Sequence, residues 1–175
     1  MAADLEQRFD AFVTDHRDRA LRIAWRLLGG DAAAAEDVAQ EAFVRAYRGL
    51  GGFRGEAELA TWFHRILVNE VRRHQRWRML RRARQVDDEP DAVPDPRSSA
   101  RPDPGLRRRI GAAIAALPRG QREAFVLVHL EGFTISEAAA ITCRAMGTIK
   151  SHLHRATGNL RAALADLDPS AGATR

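Results

Sequence analysis

Apolar positions recur with a helical period along most of this chain. Before the first glycine pair, Phe9, Phe12, Val13, Ala20, Ile23, Ala24 and Leu27 share one side of a 3.6-residue repeat, which predicts an amphipathic helix over about 5–28 ended by Gly29-Gly30. Asp31 stands where an N-cap belongs and opens a second helix to about Arg48, after which Gly49, Gly51, Gly52 and Gly55 break the pattern. A third helix starts at Ala57 or Leu59 and runs toward Arg82. Further on, residues 106–117 read as helix, Pro118 opens another that ends at Gly132, and Thr134 with Glu137 makes a T-x-x-E capping box for a short helix. A turn at 142–145 precedes a last helix carrying Ile149, Leu153, Ala156, Leu160, Leu164 and Leu167 on one face. Strand-like alternation is absent, so the expected class is all-α.

The periodicity stops between Gln85 and Pro104, where the chain reads QVDDEPDAVPDPRSSARPDP and holds five of its seven prolines. Proline removes a backbone donor and disfavours helix in the residue before it. The expected organisation is therefore two small helical bundles joined by a Pro-rich linker: a first lobe over 1–84, a flexible linker over 85–104, a second lobe over 105–168, and a disordered tail over 169–175.

Composition narrows the chemistry. A net charge of +5 and a pI near 10.7 favour polyanionic partners, nucleic acid first. Of the 28 basic residues only Lys150 is lysine, which reads mainly as codon bias. One cysteine, Cys143, excludes an intramolecular disulfide and a multi-cysteine zinc site. No apolar run is long enough to span a bilayer, and residues 1–10 lack a signal-peptide core, so the expected location is cytoplasmic without membrane insertion. There is no Gly-rich phosphate loop, no paired nucleophile and base and no acid dyad. His16, His64, His74, His129, His152 and His154 lack ligand spacing. The expectation is a protein that is not an enzyme and uses no metal or cofactor.

Two faces stand out. The first turns of the last helix expose Thr148, Lys150, Ser151, His152, His154 and Arg155. On an arbitrary helix this is a solvated face. After a capped short helix and a tight turn, it suits a helix-turn-helix whose second helix meets base edges. On the second helix, steps of ~100° gather Ala35, Val38, Ala39, Ala42, Phe43, Ala46 and Leu50 on an apolar arc and leave Asp37, Gln40, Glu41, Val44 and Arg48 opposite. Spacing alone favours a solvated charged face there; acid concentrated on one face of a basic protein also fits a basic partner.

The stretch LPRGQREAFVLVHLEGFTISEAAA from Leu117, followed by GTIKSHLHRA, resembles region 4 of the sigma-70 family, in particular the extracytoplasmic-function (ECF) sigma factors. AEDVAQEAFVRAYR, 35–48, resembles their region 2.2, and FRGEAELATWFHRILVNEVRRHQRW, 53–77, their regions 2.3 and 2.4. Cys143 stands where the family usually has glycine, Arg144 where an apolar residue is common, and Ala145 where a serine usually caps the recognition helix. His152 replaces the usual arginine, and Gly158 lies mid-helix.

The resemblance implies a factor that directs core RNA polymerase to specific promoters and helps melt them. It implies polymerase contacts, to the largest-subunit clamp coiled coil and the flap, at Asp37, Gln40, Glu41, Val44, Arg45 and Arg48. It implies −10 element contacts at Arg54, Glu56, Ala57, Glu58, Thr61, Arg65, Asn69, Arg72, Arg73 and Arg76, with the loop over about 55–60 capturing a flipped base. It implies −35 contacts at Arg122, Thr148, Lys150, Ser151, His152, His154 and Arg155, and an anti-sigma partner. One rival reading is a helix-turn-helix regulator that binds DNA without joining polymerase; a second is a protein-interaction module whose basic face meets an acidic protein.

Overall fold

A computed structural model describes residues 2–53, 55, 58–83 and 104–167. The predicted linker and tail lie outside them, apart from Pro104, which opens the fourth helix. Seven α-helices follow in chain order: α1 (Ala2–Leu27), α2 (Ala32–Gly49), α3 (Leu59–Arg82), α4 (Pro104–Ala116), α5 (Arg119–Phe125), α6 (Ile135–Thr142) and α7 (Met146–Ala163). The described residues contain no strand.

Local chemistry sets the boundaries. α1 ends because Gly29 and Gly30 adopt φ of 75° and 96°, which lets the Gly30 N–H turn back to the Trp25 carbonyl at 2.9 Å. α2 starts where the Asp31 carboxylate accepts from the Ala34 N–H at 3.0 Å, and its other oxygen holds Arg78 of α3 at 3.1 Å. Ala35, Ala42 and Ala46 are fully buried, and these short side chains bring α2 close to its neighbours. Phe12, Phe43 and Phe63 interlock in the middle of this bundle.

In the second bundle, the helix expected to run from Pro118 to Gly132 changes character. Beyond α5, Val126–Leu130 widens into a π-helical turn before Glu131. The capping box forms as expected: Thr134 Oγ1 accepts from the Glu137 N–H at 3.1 Å, and the Glu137 carboxylate accepts from the Thr134 N–H at 2.7 Å. α6 ends at Cys143, which takes φ 54°, the left-handed conformation usually given to glycine. Ala145 starts α7 with no side-chain cap.

The bundles do not stand apart. α3 packs on α6, and α1 packs on α4 and on the π-helical turn. Ala124, Val126, Leu127, Phe133, Ala138, Ile141 and Ile149 from the second bundle join one buried cluster with α1, α2 and α3, while Leu117, Ala156 and Leu160 form a small separate core. His64 of α3 sits at this junction. It is fully buried between Phe63 and Phe133, and its Nδ1 donates to the Ala60 carbonyl at 2.6 Å, while Nε2 has no partner. Burial, reinforced by the charge of Arg19 and the ring of His16, pushes its pKa down to about 4; the bond to Ala60 opposes this only in part.

Two predictions follow from these features. Left-handed backbone at a non-glycine residue and a missing N-cap each cost about 1 kcal/mol. Cys143→Gly and Ala145→Ser should therefore each raise the thermal midpoint by roughly 2–4 °C, read by scanning calorimetry. For His64 the unfolded chain binds the proton more readily than the folded one, so folding stability is complete above pH 6.5 and declines as pH falls toward 4. A His64→Phe variant should lose up to about 3 kcal/mol of that acid sensitivity in urea titrations at pH 7 and pH 4; an unchanged pH slope would show that His64 is not its source.

Candidate nucleic-acid and polymerase interface

The solvent face of α2 carries the acidic surface. Asp37, Gln40, Arg45 and Arg48 are exposed, while Glu41 and Val44 are half-buried. Glu41 accepts from Arg45 at 2.9 Å and lies 3.5 Å from Arg73 of α3. The Arg45 hydrogen bond holds the Glu41 carboxyl below its ordinary value; burial opposes it, and the charges of Arg45, Arg73 and Arg48 add to it. Behind it lies Glu70 of α3, nearly buried, paired with Arg45 at 3.0 Å and Arg73 at 2.7 Å. A shallow groove between the helices is lined by Asp37, Val38, Glu41, Glu70, Arg73, His74 and Trp77. Arg73, expected among the −10 contacts, thus belongs to the acidic groove. Glu70 and Trp77 join it without having been singled out in the sequence, because the α2–α3 pairing that brings them there is tertiary.

Along α3 the expected polar stripe divides. Arg65, Asn69 and Arg76 are exposed, and Thr61 is half-buried. Arg72 is turned inward: its Nε and Nη2 donate to the two carboxylate oxygens of Glu123 on α5 at 2.9 and 2.8 Å, and Nη2 also reaches the Thr142 carbonyl at 3.3 Å. The Glu123 hydrogen bonds raise the Arg72 pKa, burial opposing. Of the loop before α3, Arg54, Glu56 and Ala57 lie outside the described residues, and Glu58 is exposed at the helix start. Trp62 packs on the ring of Phe53 and over Gly49, a half-buried position.

On α7, Ile149, Ala156 and Leu160 anchor the buried side. Lys150, His154, Ser151, Arg155 and Thr148 are exposed and cover an arc of roughly 160° opposite. His152 does not join them. Its Nε2 accepts from Arg144 at 2.8 Å, and both rest over Gly120, where a Cβ would come within 2.9 Å of either side chain. Burial first, then the charges of Arg144 and Arg155, lower the His152 pKa, with the charge of Glu123 opposing. Arg122 also faces inward. It donates to the carbonyls of Leu27, at 3.0 Å, and Leu117, at 3.1 Å, and so spans the two bundles.

The chain matches two family models, Sigma-70 region 2 over residues 12–86 and Sigma-70, region 4 over residues 107–167. It is 30% identical to the RNA polymerase sigma-H factor of Pseudomonas aeruginosa, covering 93% of this chain and 89% of that one. It is 35% identical to the ECF RNA polymerase sigma factor SigE of Mycolicibacterium smegmatis over 90% of this chain, and spans 62% of that relative's length. Among solved structures it is similar to the sigma factor RpoE of Bartonella quintana, crystallised with the anti-sigma factor NepR. That likeness has a TM-score of 0.76 and 28% identity, and covers 93% of this chain and 99% of that one. CnrH, solved with the cytosolic domain of CnrY, follows at a TM-score of 0.67 and 26% identity, over 93% and 90% of the two chains. The two bundles and their order thus carry the same identity as the sequence motifs: this chain belongs to the sigma-70 family, among the ECF RNA polymerase sigma factors.

Proposed function

We propose that the protein directs core RNA polymerase to specific promoters and helps open them, working in the bacterial cytoplasm by binding alone. The observation that carries this reading is the presence, on one chain, of an acidic α2 face and an α7 arc of exposed hydrogen-bonding groups. Asp37 is exposed on α2, beside His74 in the groove, which leaves its carboxylate accessible to a basic surface such as the clamp coiled coil of the polymerase. Gln40, Glu41, Val44, Arg45 and Arg48 surround it.

In the promoter complex α7 lies in the major groove of the −35 element. Lys150 and Arg155 neutralise phosphate or read guanine, and Thr148, Ser151 and His154 supply shorter donors and acceptors. Arg65, Asn69 and Arg76 of α3 hold the backbone of the melted −10 strand, and the loop ahead of α3 receives an unstacked base. Melting then draws on the free energy of binding the opened strand, with no nucleotide hydrolysis. Two modest DNA sites on one chain reinforce each other when promoter spacing fits both. The RpoE and CnrH structures, each held by a second protein, support an anti-sigma partner for this factor too. No helix among the described residues is long and apolar enough to cross a membrane.

Run-off transcription with purified core polymerase and genomic promoter fragments tests the reading. Asp37→Arg should abolish polymerase capture and transcript together. Lys150→Ala and Arg155→Ala should keep polymerase capture but cut specific transcript about tenfold each. Strong promoter binding by the wild-type protein alone, with no capture of polymerase, would replace this reading by that of an independent DNA-binding regulator.

A further inference from the structure

Around Glu41, the α2 face proposed to meet polymerase owes its acidity to a group behind it. Asp37 and Glu41 are the outward carboxylates there, whereas Arg45 and Arg48 of α2 and Arg73 of α3 bring three guanidinium groups to the same surface. The acid that balances them is Glu70 of α3. Its side chain is only 6% exposed, and it pairs with Arg45 on the neighbouring helix at 3.0 Å and with Arg73, one turn on, at 2.7 Å. The same two arginines reach Glu41, both at Oε1, at 2.9 and 3.5 Å. Glu41, Arg45, Glu70 and Arg73 thus close a ring of alternating charge across two packed helices.

The two carboxylates of the ring are not equivalent. Glu41 keeps 39% of its side chain in solvent, while Glu70 has almost no water. An ionised carboxylate in that position is tolerated only with cations close by, so Glu70 has the stronger claim on the two guanidinium groups. Arg45 spans both acids, and Arg73 lies nearer the buried one, 2.7 Å against 3.5 Å. We infer that Glu70 is a positioning residue for polymerase binding: by holding Arg45 and Arg73 inward, it leaves Glu41 outward as an acceptor for a basic partner. The inference rests on the assignment of α2 to core polymerase. Without the Glu70 charge both arginines settle on Glu41, and a basic surface then meets a covered acid among more cations than anions.

Equilibrium binding of the full chain to purified core polymerase, without DNA, tests this through a double-mutant cycle. Glu70→Gln keeps the shape of the side chain and removes its charge. It should weaken binding about tenfold, and Glu41→Gln alone should do about the same. Because Glu70 acts through Glu41, the double variant should bind no more than about twofold worse than either single one. In transcription, Glu70→Gln should raise the half-saturating concentration of the factor and leave the maximal transcript at the wild-type level; Glu70→Asp should recover most of the affinity. Wild-type affinity of Glu70→Gln, or of Glu41→Gln where Asp37→Arg still fails to bind, overturns the positioning role. So do losses that multiply to about a hundredfold in the double variant. Wild-type binding by both Glu41→Gln and Asp37→Arg overturns instead the assignment of α2 to polymerase, and this inference with it.

Neutralising a buried acid that holds two cations can also unfold the bundle, so a second variant leaves Glu70 in place. Arg73→Gln removes one cation from the face while Glu70 keeps Arg45. It should retain the helical circular dichroism of the wild type and bind polymerase equally well or up to about threefold more tightly. Weaker binding by Arg73→Gln makes that arginine a direct contact to polymerase and overturns the claim that Glu70 holds it away.

Discussion

The burial of Glu131 constrains everything around it. An ionised carboxylate out of water is tolerated only with cations and donors around it, and here it has three guanidinium groups from a single helix face. That demand fixes the rotation of α1, the exit of the π-helical turn and the entry into α6 together, because Glu131 stands between the last two. Phe133 and His64 fill the space beside the charged cluster with rings. The apolar surface of Val126, Leu127, Ile141 and their neighbours supplies the attraction between the bundles. The ion pairs select which of many apolar contacts is made, a division of labour between non-directional burial and directional charge.

The same arrangement links α3 to α7. Arg72 on α3 binds Glu123; Glu123 lies 3.5 Å from Arg144; Arg144 donates to His152 on α7. A guanidinium cannot serve two acceptors with the same pair of N–H groups, so the fork of Arg72 is committed to Glu123 in this arrangement. Such a connection is held by charge, and polyanions or salt weaken it more readily than they weaken the apolar core.

Much of the architecture was legible because it is local. The α1 stop at Gly29-Gly30, the Asp31 cap, the Thr134–Glu137 box and the apolar faces of α2 and α7 each follow from residues within a turn or two of one another. The packing of the bundles was not legible, since it turns on Glu123 and Glu131, which in sequence look like any acids on amphipathic helices. The near absence of lysine hid the distinction further. With arginine at almost every basic position, nothing in the sequence separates Arg65, free on the surface, from Arg72 in a buried fork, Arg73 in the acidic groove or Arg122 bridging to Leu27. The widening at Val126–Leu130 was equally hidden, because a π turn keeps an apolar run that reads as ordinary helix.

The departures of the helix-turn-helix from its family pattern make sense together. An arginine at position 152 would extend outward as another long cation on the α7 arc; histidine is short enough to fold back. It does so because Arg144, also atypical, supplies a donor at 2.8 Å and Gly120 leaves room beneath. The positive charge thus moves from α7 to the turn, and from the turn toward Glu123. What remains outward on the first turns of α7 is a set with two permanently charged groups, Lys150 and Arg155, and three short polar ones, Thr148, Ser151 and His154. Short side chains must approach bases closely and discriminate by fit and by water, whereas long cations reach phosphate at many registers. The residues at 144 and 152 are therefore tied to the carboxylate between the bundles by one run of contacts, Glu123 to Arg144 to His152.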